Sequence, residues 1–191
     1  MSKKIDIISL YLDDYKKHLS GREIARILKI NPQTALNHLN GLVDKKIIIF
    51  EKKGKNKEYI INLTSQKARI LLEIAEECSS LKKLDKKEIS LLIKEILPFA
   101  ESVVLFGSFA KDREKSDSDI DLVIAGKADK EEIGKIKKRH PRQVNIEYIS
   151  YKDFASSLKK KKALALEILN AHIIFGNVSK IVDIYFQWYK R

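Results

Sequence analysis

Apolar positions along this chain follow helical spacing first, strand spacing next, and then a mixture of the two. Between residues 5 and 15 they recur at Ile5, Ile8, Leu12 and Tyr15, the interval that lines one face of a helix. Ser20 with Glu23 three positions on is a capping-box pattern and opens a helix over 21–28. Asn31-Pro32 starts another, with Asn as cap and Pro at the first helical position, where its missing N–H is no loss. That helix carries Ala35, Leu36, Leu39, Leu42 and Val43 on one face. A β-branched run over 47–50, a charged stretch with Gly54 and Asn56, and a second apolar run over 59–63 predict a hairpin.

After Thr64 the pattern is helical again. One segment, capped by Thr64 or Ser65, runs to about residue 84, and a second covers 86–97 before Pro98 stops it. From residue 101 the types alternate. A strand over 102–106 leads to a Gly-Ser turn, a short helix and a polar loop, then a strand over 119–124. A helix over 129–139, a strand over 143–149 and a helix over 151–158 follow, and helices over 162–172 and 179–189 flank the apolar stretch 173–175. The expected architecture is α+β in three parts: 1–64, a helical connector over 65–98, and 99–191.

Composition narrows the picture modestly. The 191 residues are 44% hydrophobic and 34% charged, and seven Gly with three Pro exclude a low-complexity chain. A net charge of +12, shared by both halves, suits DNA, RNA or a nucleoside triphosphate. A solvated Lys-rich surface accounts for the same charge, so the motifs must decide. Cys78 is the sole cysteine, which excludes an internal disulfide and a thiolate zinc cluster; within the apolar-periodic stretch 70–81 it is expected to be a small core residue. No apolar run approaches the ~18 residues of a membrane span, and the N-terminus lacks the apolar block of a signal peptide. A cytoplasmic location with no membrane partner is expected.

Residues 19–49, LSGREIARILKINPQTALNHLNGLVDKKIII, resemble the winged helix-turn-helix regulators over the whole motif. Ala25 is small enough for two helices to cross closely, and Leu28, Ile30, Leu36 and Leu39 are expected to fill the core beneath. That leaves Gln33, Thr34, Asn37 and His38 outward on the helix that the resemblance sends into the major groove of double-stranded DNA. Gln and Asn can bond adenine edges, and Thr can touch a thymine methyl. Lys52, Lys53, Lys55 and Lys57 surround Gly54 in the expected wing, a loop suited to phosphates. A two-fold homodimer on a palindromic site would suit such a module.

Residues 103–124, VVLFGSFAKDREKSDSDIDLVI, carry Gly107-Ser108 and, after ten intervening residues, Asp119-x-Asp121. This spacing resembles the minimal nucleotidyltransferases of the DNA polymerase β superfamily, over about residues 102–154. Residues i and i+2 of a strand face the same way, so Asp119 and Asp121 are expected to project together toward divalent metal. Mg²⁺ takes carboxylates plus phosphate oxygens. The resemblance implies a two-metal Mg²⁺ site and ATP or another nucleoside triphosphate as substrate. Gly107 would let the backbone approach the triphosphate, and Ser108 and the amides of the helix start would grip its oxygens. Lys111 falls where the family often carries a basic residue, with Asp112 in place of the Gly that frequently follows.

The family's third carboxylate lies on the later strand, QVNIEYI over 143–149. By spacing to Phe154 its position falls on Asn145, whose amide binds metal weakly; Glu147, one strand period further, is the candidate substitute. Arg142 could face phosphates or, as the default, solvent, and Lys159–Lys162 reads as a solvated charge run. Ile181, Ile184, Tyr185 and Trp188 form an apolar stripe for core packing or a dimer mate.

Two functions follow. One is a DNA-binding nucleotidyltransferase that moves AMP from ATP to a protein or nucleic-acid hydroxyl; the resemblance extends to antitoxins that modify a partner toxin. The other is a transcription regulator whose nucleotidyltransferase-like half binds nucleotide or a partner without turnover.

Overall fold

The computed structural model describes residues 2–54 and 56–190. Its chain forms two compact units, Met1–Ala75 with Tyr189–Arg191, and Glu76–Trp188.

The first unit begins with α1 (Lys3–Ser9), shorter than the sequence pattern predicts. Beyond it the backbone closes successive three-residue turns, and the Asp14 carboxylate accepts from the Lys16 N–H at 2.9 Å, offering the backbone a local partner outside a helix. Tyr11 and Tyr15 are nonetheless fully buried, and the Tyr11 hydroxyl donates to the Tyr59 carbonyl at 2.9 Å. A two-residue strand, β1 (Leu19–Ser20), precedes α2 (Gly21–Ile27), whose capping box between Ser20 and Glu23 forms in both directions. α3 (Pro32–Asp44) starts on the Asn31 cap with Pro32 inside it.

Both helices end without glycine. Lys29 and Lys46 take left-handed backbone angles (φ 52° and 55°), while the Ile30 N–H reaches back to the Ala25 carbonyl and the Ile47 N–H to Leu42. β2 (Ile48–Lys53) and β3 (Asn56–Ile61) form the hairpin, and β1 adds to β3, giving the order β1-β3-β2. The layout is that of a winged helix-turn-helix. Ala25, Ala35 and Leu42 are buried; of the residues expected to fill the core, Leu39 is buried, Leu28 and Ile30 are half-buried and Leu36 is 37% exposed. Leu36 lies over Gly21, where an added Cβ would meet its Cδ2 at 3.1 Å, so it caps the helix crossing from outside.

α4 (Gln66–Lys83) follows, with the Ala68 N–H bonded to Ser65 Oγ. Cys78 on it is half-buried and free, not enclosed in a core.

In the second unit α5 (Lys87–Ile96) and a 3₁₀ turn lead into β4 (Ala100–Phe106), α6 (Gly107–Ala110), β5 (Ile120–Ala128), α7 (Lys130–Arg139) and β6 (Val144–Ile149). α8 (Tyr151–Lys159), α9 (Ala163–Asn170), β7 (Ile173–Gly176) and α10 (Val178–Tyr189) complete it. The sheet order is β6-β5-β4-β7, with β5 and β6 parallel and the other pairs antiparallel. Parallel neighbours need a crossover, and α7 supplies it. Ile89, Leu92, Ile93 and Ile96 of α5 share one core with Val103, Leu105, Leu122 and Ile124 of the sheet and Ile133 and Ile136 of α7. This packing fixes the ends of β4 and β5 side by side, where the polar residues collect.

Candidate functional site

Phe106, the last residue of β4, pairs with Asp121 on β5, and Asp121 in turn pairs with Asn145 on β6. Three neighbouring strands therefore bring Gly107, Asp121 and Asn145 to one edge of the sheet. Asp119 lies just before β5 and points to the same place: Asn145 Nδ2 donates to Asp119 Oδ2 at 3.3 Å and to Asp121 Oδ1 at 3.0 Å. One amide nitrogen thus spans both carboxylates. The projection expected of the i, i+2 pair is present.

Gly107 has φ +69°, a backbone conformation that disfavours side chains, and a Cβ there would meet Asp121 Oδ2 at 2.5 Å. The glycine is thus required both by the turn and by the acid beside it. Ser108 is half-buried in the first turn of α6, and Lys111 is exposed at the end of that helix. Glu147 is exposed and pairs with Val123, one strand period past Asn145, so the structure groups Asp119, Asp121, Asn145 and Gly107 and sets Glu147 beyond them.

The ten-residue connection between the two motifs is fastened at both ends. Asp112 has φ +52° and receives Lys83 Nζ at 2.6 Å and Lys86 Nζ at 2.8 Å on the same oxygen. Those two ammonium groups hold its carboxyl below the usual carboxylate range. Lys86 also pairs with Glu114. At the other end Arg142 is half-buried and turned onto the connection. Its Nη1 donates to the carbonyls of Lys115, Ser116 and Ser118, its Nε bonds Glu88 Oε1 at 2.7 Å, and its guanidinium lies 5.4 Å from the Phe109 ring. The sequence assigned it to solvent by default; its five donors suit backbone carbonyls, but those acceptors come from a distant segment that the sequence pattern does not mark.

Residues 86–189, more than half of the chain, match the family model described as "Nucleotidyltransferase domain". The chain belongs to the nucleotidyltransferase domain family. No curated protein matches it. Among solved structures it is similar to TrmBL2, an archaeal chromatin protein whose structure is described as showing a novel mode of DNA binding. The match has 16% identity, covers 86% of this chain and 68% of that one, and has a TM-score of 0.27, a level at which it says nothing about this chain.

Nucleotidyltransferase domains act on nucleoside triphosphates with a divalent metal. Among the described residues no group of three or more His, Cys, Asp or Glu lies together as a metal-ligand set. Two convergent carboxylates nonetheless fit Mg²⁺, which commonly binds through one or two carboxylates and completes its shell with substrate phosphates and water. Gly107, lacking a Cβ, leaves Asp121 Oδ2 unobstructed beside the turn, where an added Cβ would come within 2.5 Å of it.

In the first unit Gln33, Thr34 and Asn37 are exposed on α3, and His38 is half-buried. Gln33 Nε2 donates to Asn37 Oδ1 at 3.1 Å, which ties two of these side chains together. Lys52 and Lys57 lie directly opposite each other on the hairpin; Lys57 Nζ sits 4.2 Å from the centre of the Phe50 ring, and Lys53 approaches Glu58 at 3.4 Å. Lys55 falls outside the described residues. A groove of about 540 Å³ between α3 and β3 is lined by Gln33, Leu36 and Lys57 and also by Arg22, Asn40 and Asn56, which sequence reasoning did not single out. Asn40, seven residues after Gln33, lies on the same helix face, and that spacing was the available signal.

Proposed function

We propose that this chain is a DNA-binding protein whose C-terminal domain transfers a nucleoside monophosphate, AMP from ATP, to a hydroxyl of a protein or nucleic acid. The observation that carries the reading is the convergence of Asp119 and Asp121 on one amide beside Gly107. Asp119 and Asp121 would hold Mg²⁺ together with triphosphate oxygens; when bound, the ion supplies positive charge to the phosphoryl oxygens and eases deprotonation of the attacking hydroxyl.

The chain's own part is positioning. Gly107 admits the triphosphate close to the backbone, Ser108 and the amides at the start of α6 donate to its terminal phosphates, and Lys111 adds a cation. The acceptor oxygen bonds the α-phosphorus, the α–β bridging bond breaks, and pyrophosphate leaves. Glu147 is the remaining carboxylate on that strand face and the candidate for taking the acceptor's proton. A partner protein such as a toxin fits the role of acceptor.

Support for DNA as a partner comes from the first unit. Its recognition-helix face is polar, and its wing sets Lys52 against Lys57, a like-charge cross-strand pair that phosphate would relieve. A symmetric dimer would place two such wings on a palindrome.

One observation favours a second reading, a regulator that binds nucleotide without turnover: Asn145 stands where a further carboxylate would complete the acidic set. Incubation with Mg²⁺ and α-labelled ATP, with partners that co-purify, separates the two. Transfer of label by wild type and its loss in Asp119→Ala/Asp121→Ala supports the enzyme. Retained nucleotide binding with no transfer to any partner overturns it in favour of the regulator.

A further inference from the structure

We infer that Lys83, outside the matched family region, is a positioning residue that holds the segment bearing Gly107 and Ser108 and so sets where the phosphate-binding groups lie. The inference rests on the nucleotide reading proposed above.

Lys83 is the last residue of α4 and is 5% exposed. Its Nζ donates to the carbonyl of Phe109, the third residue of α6, at 2.6 Å, and to Asp112 Oδ1 at 2.6 Å. A four-residue helix has almost no internal hydrogen bonding of its own, so its placement depends on outside anchors. Here the anchors are one carbonyl inside the helix and one carboxylate just after it, drawn to the same nitrogen. Asp112 keeps a left-handed backbone that disfavours side chains, and the ammonium groups of Lys83 and Lys86 secure it there. The Arg113 N–H closes the turn onto the Ser108 carbonyl at 3.0 Å, carrying the restraint back to Ser108.

A buried ammonium is costly unless its partners are in place. If this position served only for packing, an apolar side chain would fill it at less cost. A buried lysine aimed at two acceptors of one loop, with that loop opening on the acidic pair, is suited to fixing the loop's position.

The test uses the full chain with Lys83→Met, Lys83→Arg and Asp112→Gly; the last removes the carboxylate while suiting the left-handed backbone. Two quantities are read: MgATP affinity, and amide hydrogen exchange of residues 107–113. Lys83→Met and Asp112→Gly are expected to weaken MgATP binding by about tenfold to a hundredfold and to speed exchange in that segment alone. Their double variant is expected to lose no more than the larger single loss, because both cut one restraint. Lys83→Arg, which keeps both donations, is expected to restore affinity. Unchanged affinity with unchanged local exchange overturns the inference, as does an equal loss in all three variants accompanied by exchange rising throughout the chain. Failure of wild type to bind MgATP overturns the nucleotide reading itself, and local exchange then decides the clamp alone.

Discussion

Asn145 stands across the parallel pairing from Asp121, and its Nδ2 donates to Asp121 Oδ1 at 3.0 Å while also reaching Asp119. An amide donor placed between two carboxylates does part of what a cation does: it offsets their mutual repulsion. The acidic pair is therefore held in place by a neutral neighbour.

Asn145→Asp would exchange that donor for a third negative charge. Without divalent metal this variant is expected to melt several degrees below wild type, since like charges crowd one strand end. Added Mg²⁺ is expected to raise its melting temperature more than it raises that of wild type. Melting with EDTA and with Mg²⁺ checks this; equal responses of the two proteins would count against the amide's role.

Gly107→Ala combines two penalties at one position. Left-handed backbone costs an L-residue about 1–2 kcal/mol, and the new methyl meets Asp121 Oδ2 at 2.5 Å. The variant is expected to remain folded, to lose roughly that much stability by urea titration, and to lose MgATP binding because Asp121 must move aside. Wild-type affinity in this variant would show that the carboxylate's position does not matter.

Much of this arrangement was legible in the sequence, and the failures have local causes. The capping box at Ser20 and the Asn31-Pro32 start are signals confined to a few residues, and both helices begin where those residues say. The convergence of the acidic pair was legible from its i, i+2 spacing, although Asp119 lies just before β5 and not on the strand expected to begin there. The helix expected to continue through Tyr15 was not, because Asp14 captures the Lys16 N–H while the aromatic residues stay buried without helical geometry. Arg142 was misassigned because its acceptors are backbone carbonyls 24 to 27 residues away, and no side-chain pattern announces those. The strand β1 is two residues long, too short to show a period. Lys83 was invisible for the same reason as Arg142: its value lies in what the chain brings to it.

His172 gives a pH dependence unrelated to nucleotide. Burial opposes its charged form, but Glu76 Oε1 at 2.9 Å outweighs that, with the Ile168 carbonyl at 2.8 Å on the other ring nitrogen, so its pKa stands above the usual 6.5. A raised folded-state pKa adds stability below 6.5, and that stability is lost as pH rises through the folded value. Melting temperature is expected to fall over that rising interval in wild type. Glu76→Gln, which removes the charge partner, is expected to flatten the dependence; an unchanged slope would remove Glu76 as its cause.

Lys53→Glu/Lys57→Glu is expected to weaken duplex DNA binding at low salt. It should also reduce the dependence of log affinity on log salt by about 0.9 for each phosphate no longer neutralised. Affinity measured at several salt concentrations checks both. A weaker complex with an unchanged salt slope would place the wing away from the phosphates.

The most direct measurement is equilibrium binding of ATP to wild type and to Asp119→Asn/Asp121→Asn, each with Mg²⁺ and with EDTA. The proposed site requires tight binding by wild type with Mg²⁺, a loss of at least about tenfold on chelation, and a comparable loss in the double variant whether or not Mg²⁺ is present. Equal affinity in all four conditions would mean that the two aspartates and their metal are not where the nucleotide binds.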